Sequence, residues 1–241
     1  METNYKEVKD SLLSFGKSHS ACQHEYKRLY AAESVESVME VVKDNFSWCC
    51  QYKDFADVLM AHRDQFAEHK IWINTSVEIN EGIGYLLTTE GEFNATSLET
   101  STINARSWGT STINARSWGT STINAESRET STINAESWGT STINATSRGP
   151  STINARSRET STINARSRET STINAESWET STINARSWET STINAESWGT
   201  STMILLTSTI ECQVNNSSIA RYIAENRVVF ADGSMKFERR K

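Results

Sequence analysis

Residues 101–120 read STINARSWGTSTINARSWGT, and the decapeptide recurs with small changes to Thr200, ten copies without insertion or deletion. Self-similarity at a fixed short period marks a fold built by stacking. A helix suits the unit poorly. Ser, Thr, Asn and Ile are middling to poor helix formers, and a single Ile every ten residues cannot hold a stripe of 3.6-residue period. Strand alternation suits it well: Ser101, Ile103, Ala105 and Ser107 fall on one side, and Thr100, Thr102, Asn104, Arg106 and Trp108 on the other. The first set is small or apolar, and the second holds the bulky and charged positions. The array therefore predicts a mainly β fold, a tandem decapeptide-repeat β-solenoid with Ile and Ala inside.

The length of one turn follows from the size of the core. A ten-residue turn leaves one Ile per coil, a core that small scaffolds support with disulfides, and the array contains no cysteine. A flattened twenty-residue turn is favoured, in which two repeats form opposite faces and close their Ile and Ala rows on each other. Five such turns rise about 24 Å at a strand spacing of about 4.8 Å. Charge gives a weaker signal. Twenty residues apart, Arg106/Glu126, Arg116/Glu136, Glu136/Arg156 and Arg156/Glu176 are opposite, while Arg166/Arg186 and Glu176/Glu196 are alike; ten residues apart the preference is slighter still.

The flanks break the pattern. Residues 1–70 read as a helical head: Val35, Val38, Met39, Val42, Phe46 and Cys49 follow one helix face from Ser34, a plausible N-cap, to Gln51. A second stripe joins Phe55, Val58, Leu59, His62 and Phe66, and weaker helical patterns cover Tyr5 to Phe15 and Cys22 to Tyr30. Residues 71–205 are assigned to the solenoid, since Phe93-Asn94-Ala95 and Ile73-Asn74 match Ile103-Asn104-Ala105 as worn upstream copies. Residues 206–241 are assigned to a C-terminal cap. Ile210, Val214, Ile219, Tyr222, Ile223, Val228, Val229 and Phe230 supply closing strands, and Ala231-Asp232-Gly233-Ser234 reads as a turn before a basic tail.

Composition excludes several classes. One proline and ten glycines rule out collagen-like and linker-like chains, and a net charge of -6 is too small to name a partner. No stretch reaches the ~20 apolar residues of a membrane span, so no membrane association is expected. The charges spread through METNYKEVKDSLLSFGKSHS leave no signal-peptide core. Cys22, Cys49, Cys50 and Cys212 lack zinc or redox spacing, and free thiols in a cytoplasmic protein are expected. His19, His24, His62 and His69 show no metal-ligand grouping, and no phosphate loop or nucleophile elbow occurs. No catalytic residue, metal or cofactor is assigned, and the chain is read as a non-enzymatic scaffold.

Three outward rows are candidate surfaces. Asn104 and its equivalents never vary in the ten copies, which suits a stacked amide ladder. One position carries Trp108, Trp118, Trp138, Trp178, Trp188 and Trp198, or Arg128, Arg148, Arg158 and Arg168. Such a row serves self-stacking along the solenoid edge, a protein or other periodic partner, or carbohydrate and single-stranded nucleic acid. Nine Arg balance nine Glu between residues 101 and 200, which argues against nucleic acid. The third row is Thr-x-Thr, as at Thr110, Thr112, Thr120, Thr122, Thr170, Thr172, Thr180 and Thr182.

Those Thr-x-Thr rows resemble the ice-binding face of insect-type β-solenoid antifreeze proteins. The resemblance implies ice binding, although the disulfides and secretion signal of that family are lacking and Pro150 interrupts the row. The whole plan resembles uncharacterised short-repeat proteins of gut bacteria and their phages. The residues that carry this likeness are Lys53-Asp54-Phe55-Ala56-Asp57, Ile73-Asn74-Thr75, Gly84-Tyr85-Leu86-Leu87 and Arg227-Val228-Val229-Phe230-Ala231-Asp232. It implies a mobile-element origin and transfers no activity.

Overall fold

Successive repeats alternate between two parallel sheets. The computed structural model describes residues 4–188, 192–198, 202–206, 210–214, 219–222 and 227–230. The chain divides into one unit of Met1–Asn74 with Tyr85–Leu87 and a second of Thr75–Gly84 with Thr88–Lys241.

In the second unit, one sheet takes β5 (Ser101–Ser107), β7 (Thr122–Ser127), β9 (Thr142–Ser147), β11 (Thr162–Ser167), β13 (Thr182–Ser187), β15 (Thr202–Leu206), β17 (Ile219–Tyr222) and β18 (Arg227–Phe230). The other takes β2 (Val77–Ile79), β4 (Gly91–Leu98), β6 (Ser111–Trp118), β8 (Thr132–Trp138), β10 (Thr152–Ser157), β12 (Thr172–Ser177), β14 (Thr192–Ser197) and β16 (Ile210–Val214). We call these the odd and even sheets, after the numbering of most of the strands in each. Every array strand pairs with the strand twenty residues away, so that Ile153 lies between Ile133 and Ile173, and Asn154 between Asn134 and Asn174. The turn is twenty residues long, with one repeat in each sheet.

The alternation holds throughout the array. Each isoleucine from Ile103 to Ile193 has 0% exposure, and the alanines beside them are as well covered. Ser101, Ser107 and their equivalents are buried at the strand ends, where the chain turns from one sheet to the other. Burying an Ile side chain contributes about 1.5–3 kcal/mol, and the repeat makes that contribution at every half-turn. Pro150 leaves the ladder intact: it is exposed in a turn, and Thr152 N–H still donates to Ser131 O at 3.2 Å. Gly139 is held at a φ of 136°, where a Cβ would sit 2.6 Å from Gly119 O, so the turn requires glycine there.

The upstream matches also lie in parallel ladders. Phe93, Asn94 and Ala95 pair with Ile113, Asn114 and Ala115, as a true copy would. Ile73 ends β1 (Ile71–Ile73) and pairs in parallel with Leu87, and Asn74 N–H donates to Leu87 O at 3.0 Å with a φ of 47°, a left-handed conformation that ends the strand there. Downstream, the parallel ladders outlast the decapeptide. Met203, fully buried, pairs with Ile183, β16 pairs with β14, and β17 with β15; only β18 reverses, running antiparallel to β17. Ile223 and the turn expected at Ala231 to Ser234 lie outside the described residues.

The first unit holds α1 (Asn4–Ser18), α2 (Gln23–Ala31), α3 (Val35–Asp44), α4 (Phe46–Cys49), α5 (Phe55–Ala61) and α6 (Arg63–Glu68), with β1 paired in parallel to Tyr85–Leu87 of β3 (Gly82–Thr88). Ser34 caps α3, accepting from Ser37 N–H at 3.3 Å. Each helix expected from a long stripe is broken once. Asn45 divides α3 from α4, its side-chain amide donating to Val41 O at 2.9 Å and to Glu25 Oε2 at 2.9 Å. His62 divides α5 from α6 and meets Ser11 Oγ at 2.9 Å. The stripe itself continues across both breaks, which is why periodicity alone reads each pair as one helix.

Candidate functional site

The rows that appear single in sequence are double in the structure. Because one turn holds two repeats, Thr110, Thr112, Thr170 and Thr172 belong to the even strands, and Thr120, Thr122, Thr180 and Thr182 to the odd ones. The eight threonines therefore form two faces. Only the row leading into the odd strands is unbroken, with Thr100, Thr120, Thr140, Thr160 and Thr180; Pro150 falls in the even row. This unbroken row lines an open groove of about 920 Å³ together with Thr102, Thr122, Thr142, Thr162, Thr182 and Thr202, and with Gly82 and Ile83. Among the described residues, no charged side chain lines it. Its hydroxyl and methyl groups recur at the strand spacing of about 4.8 Å.

The tryptophans and arginines likewise form two columns, one at each turn of the coil. After the even strands the order is Trp118, Trp138, Arg158, Trp178, Trp198. Trp118 stacks on Trp138 with centroids 4.8 Å apart, and Trp178 on Trp198 at 5.0 Å. Arg158 lies 3.7 Å above the Trp138 ring and 5.8 Å from that of Trp178, so its guanidinium bridges the two stacked pairs. After the odd strands the order is Trp108, Arg128, Arg148, Arg168, Trp188, with Arg128 5.0 Å from the Trp108 ring. The ring faces of Trp138 and Trp178 are taken up within the column, whereas Trp118 and Trp188 remain 45% and 49% exposed.

The invariant asparagines form the expected ladders. In the even sheet, Asn114, Asn134, Asn154, Asn174 and Asn194 each donate to the asparagine one coil earlier at 2.7–3.1 Å. In the odd sheet, Asn124, Asn144, Asn164 and Asn184 do so at 2.8–2.9 Å. Every donor points toward the N-terminal end, so the amides serve one another along the stack.

Charge also separates by sheet. Among the described residues of the array, the odd strands and their turns carry six Arg and three Glu, and the even ones three Arg and five Glu. The balance seen in sequence is the sum of two unlike faces. On the odd face, Glu126 is buried and meets Arg106 at 3.2 Å, Arg128 at 3.5 Å and Arg148 at 3.0 Å. On the even face, Arg116–Glu136 at 3.6 Å and Arg156–Glu176 at 3.1 Å are ordinary exposed pairs.

In the helical unit, His62 meets Ser11, and His19 meets Asp54 at 2.7 Å while stacking on Tyr52 at 3.9 Å. These are separate pairs sharing no residue, and neither reproduces a nucleophile, base and orienting acid. Burial pushes the Cys49 thiol up to about 12, which leaves it neutral and unreactive. Among the described residues, no group of three or more His, Cys, Asp or Glu is placed to hold a metal, and no helix is long and apolar enough to cross a membrane.

Compared with known proteins, the chain matches no family model, no curated protein and no solved structure.

Sequence reasoning missed the groove, the Glu126 cluster and the charge separation. All three become readable once odd and even repeats are written as separate columns.

Proposed function

We propose that the protein is a non-enzymatic repeat scaffold that binds a periodic, uncharged partner along the threonine groove of the odd sheet. The supporting observation is the groove itself: paired threonines on successive coils, with no charged lining among the described residues and no break. Hydroxyls that neither face a base nor gain acidity from a neighbour bind without reacting. A partner whose own repeat is commensurate with the strand spacing gains the same contact at each coil, so affinity grows with contact length. A glycan chain has the required hydroxyl chemistry and regularity. The stacked indoles act in this reading as turn staples.

The second reading is ice binding. It is favoured by the Thr-x-Thr pairs of the odd row, which offer hydroxyl and methyl groups together at a fixed spacing. The thiols of Cys22 and Cys49 are free, which accords with a reducing, cytoplasmic setting, and the sequence likeness to phage-related repeat proteins suggests a mobile-element origin.

One experiment separates the readings. The parent, an odd-row variant (Thr120, Thr140 and Thr160 to Ser) and an even-row control (Thr110, Thr130 and Thr170 to Ser) are tested on a glycan array and for thermal hysteresis. Glycan binding lost only in the odd-row variant supports the scaffold reading, and hysteresis lost only there supports ice binding. Parent protein inactive in both assays would remove the groove as the working surface.

A further inference from the structure

We propose that the helical unit binds a small uncharged ring compound in a cavity among α1, α2, α3 and α4. The hollow has a volume of about 160 Å³ and is walled by Leu12 and Phe15 of α1, Leu29 of α2, Val41 and Val42 of α3, and Trp48 of α4. The first five of these are only 3–7% exposed, so the core itself shapes the wall. Protein interiors are packed like organic crystals, and a dry apolar void of about 150 Å³ is large enough to take benzene from solution. A space of this size suits a single ring; an extended acyl chain would leave most of its length outside.

The carboxylate and amide at the rim are already partnered. Glu25 Oε2 accepts from Asn45 Nδ2 at 2.9 Å and from Arg28 at 3.3 Å, and the same Asn45 amide donates to Val41 O at 2.9 Å. A charged ligand would have to break these bonds to find a counter-ion, whereas an apolar ring disturbs none of them. Cys49, also on the wall, is a neutral thiol and adds soft apolar surface.

Cys22 lines the same cavity and is exposed, while Cys49 and Cys50 are buried, so Cys22 reports occupancy. In the full chain carrying Cys212→Ser, alkylation of Cys22 by iodoacetamide is timed with indole, benzene, decanoate or glucose present. A ligand at twice its dissociation constant leaves about one third of sites open, so indole or benzene should slow alkylation about three-fold. Decanoate and glucose should leave the rate unchanged. Val42→Phe fills the hollow and should abolish protection while keeping the helical circular dichroism. Should that variant lose its helices, Val42→Ala replaces it: the enlarged cavity should admit naphthalene, which the parent refuses. The proposal is overturned if neither ring compound slows alkylation of the folded parent, if decanoate protects as well as the rings, if folded Val42→Phe is still protected, or if Val42→Ala, used in its place, fails to admit naphthalene.

Discussion

The odd and even halves of each coil are written in the same decapeptide, yet they present different surfaces. Inside they are the same, with Ile, Ala and two serines in identical register. Outside, the odd half carries an unbroken threonine groove, an excess of arginine and a buried carboxylate among three guanidinium groups. The even half carries a threonine row broken by Pro150, an excess of glutamate and a stack of indoles. The fold constrains the inward residues and the asparagine ladders, so the other outward positions differ by half-coil without disturbing the ladders.

The largest expected effect tests the shared interior. Ile153→Asp in the even sheet and Ile143→Asp in the odd sheet should each cost several kcal/mol, because the charge is desolvated and unpaired. Thr152→Asp, on the outside, should cost under about 1 kcal/mol. Thermal melts giving unequal losses for the two Ile variants would break the equivalence of the halves. Gly139→Ala should cost about 1–3 kcal/mol, since an L residue at that φ is strained and its Cβ meets the backbone of the coil below; an unchanged melting temperature would show that the turn relaxes.

Smaller effects should separate the halves. Glu126→Gln leaves three clustered arginines without their carboxylate and should cost about 1–3 kcal/mol. Glu136→Gln, on an exposed pair, should cost under about 1 kcal/mol. Denaturant titrations with equal midpoints would remove the distinction between the two charged faces. Trp138→Ser should lose about 0.5–1.5 kcal/mol of stacking and change the near-ultraviolet dichroism of the coupled indoles; an unchanged spectrum would contradict the column. The smallest effect concerns buried hydroxyls. Ser127 Oγ bonds to Ser131 across the odd-to-even turn, whereas Ser137 Oγ makes no hydrogen bond. Ser127→Ala should therefore cost about 1 kcal/mol, and Ser137→Ala should be neutral or stabilising. Equal melts for these two would erase the difference between the turns.

Much of the fold was legible because the repeat leaves few choices. Ile103 and Ala105 had to face inward for any core to exist, and the absence of cysteine in the array pointed to the wider turn. The helix breaks at Asn45 and His62 were not legible, since the apolar stripe runs across both and the side-chain bonds there include partners distant in sequence, Glu25 and Ser11. The site was read only in part. Treating Trp108 and Trp118 as neighbours in one row was natural in a linear text, but the coil separates them and brings Trp118 onto Trp138. Ile73-Asn74 matched the motif by identity, and Ile73 pairs in parallel with Leu87, but the φ of Asn74 ends that strand earlier than in an array copy.

The two-repeat turn also sets a rule for how the gene can change length. Gain or loss of a pair of decapeptides adds or removes a complete coil and keeps every downstream residue on its own face. Gain or loss of a single decapeptide preserves the interior but exchanges the faces beyond it, bringing Pro150 into the groove row, or moving arginines opposite glutamates, according to where the slip occurs. The inward residues offer no resistance to either event. Selection on length must therefore act through the surface, and variants of this array that retain its surface should differ in length by multiples of twenty residues.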